Sequence, residues 1–178
     1  NYSYQWSKQG DTNYSATSQD ITGLSSGTYT VVVTDVNDCT ISKTFTVTQP
    51  DDLVINSVVS DNNGFEISCN GEKDASINLT IQGGIAPYTF SWTTNGGSGL
   101  DVDAEDQINL GPGTYNVTVT DANNCIETAQ YVIEEPDDLD DNENIPTTNT
   151  FQISCNGAND GAINITPSGG SGSYTFNW

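Results

Sequence analysis

Thirteen residues, Gly27 to Cys39, recur as Gly113 to Cys125 with glycine, threonine, tyrosine, aspartate and cysteine in the same places. The recurrence has a fixed period. Trp6 and Trp92, Cys39 and Cys125, Cys69 and Cys155, and Trp92 and Trp178 are each 86 residues apart. A chain that repeats itself without insertions is built from one module written several times, and this outweighs any inference from its 178-residue length.

Within the repeated stretch, Tyr115, Val117 and Val119 alternate with Asn116, Thr118 and Thr120. That period of two predicts a strand with one buried and one wet face. Asp121-Ala122-Asn123-Asn124 follows, and Asp and Asn bond their own main chain and tolerate left-handed backbone, so a reversal is expected before a partner strand near Cys125. The tyrosine comes just after Leu110-Gly111-Pro112-Gly113, the placement of the tyrosine corner at strand F of immunoglobulin-like sandwiches. The same reading holds for Leu24 to Tyr29.

Further strands are expected at Leu53–Val59, at Ser76–Ile81 with Ile77, Leu79 and Ile81 on one face, and at Pro87–Trp92 with Tyr88, Phe90 and Trp92 on one face. Phe65–Cys69 reads as a short extended piece, and Thr93–Asp106 as a loop with short edge strands. The expected fold class is therefore all-β, with tandem immunoglobulin-like (PKD-like) β-sandwich repeats of 86 residues. The first copy spans 1–50 and lacks its first strands. The second, 51–136, is whole, and the third, 137–178, combines an acidic linker with first strands. Because Tyr2–Trp6 matches Tyr88–Trp92, the sequence reads as an excerpt of a longer protein.

Three Lys and Arg against 24 Asp and Glu give a formal net charge of −21, which argues against nucleic-acid binding because neutralising phosphates requires clustered cations. No apolar run approaches the roughly 20 residues of a membrane-spanning helix. With no histidine there is no Ser-His or Cys-His pair, and the carboxylates lie mostly in turns and linkers. An enzyme is not expected. Tyr88, Phe90 and Trp92 could stack on a sugar, but a tryptophan at this strand is what a sandwich packs on, so the core reading is preferred.

Cys69-Asn70-Gly71, Cys155-Asn156-Gly157 with Asn159-Asp160-Gly161, Gly83-Gly84 through Trp92, and Gly113-Thr114-Tyr115 through Cys125 together resemble the SprB-type repeat of gliding-motility adhesins in Bacteroidota. The chain departs from it at Ala75, where the third copy has Gly161, and in Leu139-Asp140-Asp141, where the second copy has Leu53-Val54-Ile55. The resemblance implies type IX secretion and display outside a Gram-negative cell, attached to its outer membrane. It also implies adhesion to polysaccharide or a solid surface. Its implied partners are neighbouring repeats of the same chain and other outer-membrane gliding proteins. The implied role is an extended, force-bearing stalk. A carbohydrate-binding or spacer module of a secreted polysaccharide-degrading enzyme is the alternative.

In an oxidising location, four cysteines at two repeated positions suggest disulfides. Cys69–Cys125 is the candidate within one module, with partners for Cys39 and Cys155 outside this stretch. However, the two turns lie at opposite ends of an ordinary sandwich, so a pair across modules or free thiols stay open. Glu134, Glu135, Asp137, Asp138, Asp140 and Asp141 crowd a module boundary and suit calcium as hard oxygen ligands, no other cofactor being expected. The competing reading is a solvated, self-repelling linker.

Overall fold

In a computed structural model, residues 1–140 and 152–178 are described. They contain ten strands and no helix, so no helix is long and apolar enough to cross a membrane. The chain divides into two units, Asn1–Asp51 and Asp52–Trp178.

The second unit carries β5 (Val54–Val59), β6 (Ala75–Gln82), β7 (Thr89–Asn95), β8 (Gln107–Leu110), β9 (Gly113–Thr120) and β10 (Ile126–Ile133). They form two antiparallel sheets, ordered β5-β6-β8 and β10-β9-β7. The alternation read from the sequence sets which side chains fill the space between them. From β9 come Tyr115, Val117 and Val119, from β6 Ile77 and Leu79, and Trp92, Leu110 and Ile133 complete the cluster with Ile67 and Ala75. All are buried, and each large aliphatic chain contributes roughly 1.5–3 kcal/mol by leaving water. Trp92 stands opposite Val117 across the β7–β9 pair, and Tyr131 opposite Tyr115 across β9–β10.

The expected extended piece at Phe65–Cys69 is instead a series of bends. Ile67 is the reason: its side chain is fully buried, while its N–H donates 3.3 Å to the carbonyl of Glu134, just beyond β10. This core plug, together with hydrogen bonds from Ser60, Asn62 and Glu134 to Glu66 and from Ser68 to Asp74, holds the segment without a ladder.

The first unit is one antiparallel sheet, ordered β2-β1-β3-β4, of β1 (Ser3–Lys8), β2 (Asp11–Ala16), β3 (Gly27–Thr34) and β4 (Thr40–Val47). The starts of β1, β3 and β4 lie 86 residues before those of β7, β9 and β10. No second sheet faces it within 1–51, and burial falls accordingly. Tyr29 and Val31 are buried, but Val33 and Trp6 are only half-buried, whereas their counterparts Val119 and Trp92 are inaccessible. Residues 21–24, the counterparts of β8, form no ladder because β8 is paired by β6, and a counterpart of β6 is absent from 1–51.

Beyond Ile133, the described residues of 137–178 contain no strand longer than one bridge, Asp140 to Ser168. Their counterparts 86 residues earlier, Val54 and Gln82, open the six-residue β5–β6 ladder. Ile163, Phe176 and Trp178 are exposed, Trp178 at 83%.

Candidate functional site

The polar groups that recur with the repeat are spent on bracing the module itself. The Tyr115 hydroxyl lies 2.8 Å from the carbonyls of both Gly111 and Ser98 and accepts the Ser98 N–H at 2.9 Å. Burial pushes its pKa up. This is the tyrosine corner expected from Gly111-Pro112-Gly113, and Tyr29 repeats it by donating to the Ser25 carbonyl at 2.8 Å. The Trp92 ring NH donates to the Ala104 carbonyl at 2.8 Å, and the Trp6 ring NH to the Ser18 carbonyl at 3.0 Å, twelve residues on in each case. Trp92 is therefore a core residue. Phe90 and Tyr88 pack against the same core, with the Tyr88 hydroxyl donating to Gly83, so the three aromatics form no open stacking stripe.

Asp121 organises the β9–β10 turn. One carboxylate oxygen accepts the N–H groups of Asn123 and Cys125 at 2.8 Å, and the other accepts Ile85 N–H at 2.9 Å. Burial pushes this carboxyl up, but the N–H donors of Cys125, Ile85 and Asn123 outweigh that and leave its pKa below the ordinary value. Asp35 makes the same two turn bonds, to Asn37 and Cys39.

At the acidic boundary the described contacts run largely through the backbone. Glu134 sits in the backbone, its N–H donating to Glu66 Oε2 at 2.8 Å. Glu135 Oε2 accepts the Gly71 N–H at 2.7 Å. The Asp137 carbonyl accepts Gly170 N–H at 2.8 Å, and Asp140 exchanges backbone bonds with Ser168. Among the described residues no three Cys, Asp or Glu side chains are grouped to hold a metal ion. Glu134, Glu135, Asp137, Asp138 and Asp140 are thus not brought together as ligands, because the linker runs without a turn that would converge them. Asp141 lies outside the described residues.

Cys39, Cys69, Cys125 and Cys155 are all free and exposed. This corrects the disulfide expectation for Cys69 and Cys125, and the reason is length. Cys125 precedes the first residue of β10, whereas Cys69 lies two residues past Ile67, which is bonded beyond that strand's last residue. Eight strand residues separate the two ends, roughly 26 Å at about 3.3 Å each, against Cα separations of about 4.4–6.8 Å in a disulfide.

Sequence reasoning missed the group that the structure does assemble, the Ser68–Gly71 turn. Besides Gly71 on Glu135, the Asn70 amide donates to the Pro136 carbonyl at 3.0 Å and the Ser171 hydroxyl to the Ser68 carbonyl at 2.8 Å. Its sequence signal was present as the repeated Cys-Asn-Gly, but nothing local says what such a turn faces. Buried Gln107 was also missed. Its side chain accepts the Asp101 N–H and donates to the Asp101 carbonyl, closing the loop before β8.

Fold and bracing together define a tandem β-sandwich repeat whose recurring polar groups are structural. Residues 66–97 and 147–178 match the family model of the SprB repeat, two matches in tandem along the chain. The first match runs from the Cys-Asn-Gly turn through β7 and stops before the β9–β10 hairpin. No curated protein matches the chain.

Proposed function

We propose that this chain is a non-enzymatic repeat segment of a cell-surface adhesin, an extended stalk that carries force between cell and substratum during attachment or gliding. One observation carries the reading: the same internal bonds, from Trp6 and Trp92, Tyr29 and Tyr115, and Asp35 and Asp121, recur 86 residues apart. A sequence that spends its repeated polar residues on holding modules together, in tandem SprB repeat matches, fits a scaffold whose stability is a sum over modules and junctions. The module boundaries that go with it are 1–50, 51–136 and 137–178, the acidic stretch at 134–141 serving as linker. Export by the type IX route, attachment to the outer membrane and contact with polysaccharide or a solid surface belong to the same reading.

Beads carrying the purified chain by one end test the adhesive part. They should resist detachment by flow from glass or a polysaccharide gel more than beads carrying an unrelated sandwich domain of matched charge. Equal detachment would leave a spacer without adhesive contact.

A further inference from the structure

We infer that the Ser68–Gly71 turn is a docking surface for the following module, taking the carboxylate–proline linker that leads into that module and the module's glycine loop, so that successive modules are held in one orientation. Two tethers meet there. The first is the linker: Gly71 N–H donates to Glu135 Oε2 at 2.7 Å and the Asn70 amide to the Pro136 carbonyl at 3.0 Å, and Pro136 is buried. The second is the loop 169–172: Ser171 reaches the Ser68 carbonyl at 2.8 Å, and a Cβ on Gly172 would stand 3.2 Å from the Asn63 side chain. Linker and loop are themselves clipped together, since Gly170 donates to Asp137 and Gly169 lies against the Asp138 carbonyl too closely for any side chain. A segment fixed at two separated points cannot swivel as one held by a single covalent link can.

The turn is built for this before anything docks. Gly71 has φ +82°, a left-handed conformation that leaves its N–H pointing out of the turn, and Asp74 pins the other side by accepting Ser68 N–H at 3.1 Å. The third copy contains the same device. Gly157 has φ +86°, Ser154 donates to Asp160 at 3.2 Å, and Ala158 donates to the Cys155 carbonyl at 3.1 Å, as Glu72 does to Cys69. Around Cys155 no carboxylate–proline segment is seated among the described residues, so Gly157 is an internal control for Gly71. The chemistry that the surface selects is a carboxylate two residues before an aspartate, with proline between, as in Glu135-Pro136-Asp137.

The inference rests on the repeat reading of the chain but not on adhesion. Residue-resolved amide exchange on the intact chain tests it. The Gly71 amide should exchange at least about tenfold more slowly than that of Gly157, and Glu135→Ala should bring it to the Gly157 rate while the Val117 and Val119 amides stay protected. Spin labels at Thr128 and Ala158, in a chain with all four cysteines changed to serine, should give one narrow distance that broadens in Asn70→Ala/Ser171→Ala. Equal exchange at Gly71 and Gly157, or a broad distance distribution before any of these three substitutions, would overturn the docking surface. Either result would leave the bead assay unaffected, so the two readings fail separately.

Discussion

Replacing Tyr115 by Phe keeps the ring between the sheets and removes only the hydroxyl. That oxygen accepts one hydrogen bond, from Ser98 N–H, and has one proton to share between the Ser98 and Gly111 carbonyls. Two neutral hydrogen bonds are worth about 1 kcal/mol net each, and leaving the Ser98 N–H short of a partner raises the cost to about 2–3 kcal/mol. In a sandwich whose strands span 80 residues, 1 kcal/mol moves the melting temperature by about 4–8 °C, so its transition should fall by roughly 10–20 °C. Differential scanning calorimetry reads this directly. Tyr29→Phe is the internal comparison. Its hydroxyl donates to Ser25 and lies 3.5 Å from the Ser25 side chain, so it should cost about 1 kcal/mol or less. A fall under about 3 °C for Tyr115→Phe would refute the claim that this hydroxyl braces the sandwich.

Trp92→Ala empties the centre of the core and should cost about 3–5 kcal/mol, enough to unfold much of the module, whereas Trp6→Ala in the one-sheet unit should cost clearly less; urea melts followed by circular dichroism compare them. The folded pKa values of Asp74, Asp121 and Asp160 lie below their unfolded values: the Ser68 hydroxyl and backbone N–H lower Asp74, those of Ser154 lower Asp160, and the turn amides overcome burial at Asp121. Their contribution is present above the unfolded carboxyl value of about 4 and is lost as pH falls through the lower folded values, so melting temperature should drop as pH falls below about 4, less steeply in Asp121→Asn. All four thiols should react with a thiol reagent without denaturant; only two doing so would point to a disulfide. Adding or chelating calcium should leave the melting temperature unchanged, and a rise with calcium would mean that ligands beyond the described carboxylates complete a site.

Much of this architecture was legible because its signals are local. Tyr115, Val117 and Val119 announce their strand by alternation, and Asp121 its turn by residue type. The period of 86 carried those readings from one copy to another without structural knowledge. What stayed hidden depends on partners distant in sequence. Ile67 sits in bends because its bond comes from Glu134, 67 residues later, and the role of Asn70 depends on Pro136. Composition pointed to calcium among the boundary carboxylates, but it could not show that Glu135 takes the Gly71 amide. The separation of Cys69 from Cys125, by contrast, was legible in the sequence, since a sandwich places those two turns at opposite ends.

The most direct test of the force-bearing stalk is to stretch the chain between two handles at constant speed. Residues Val54–Ile133, 80 in all, lie between the outer strands of the sandwich and extend to about 260–290 Å, so a discrete force peak should be followed by that gain in length less the folded separation of its ends. A smooth extension with no peak would contradict the account.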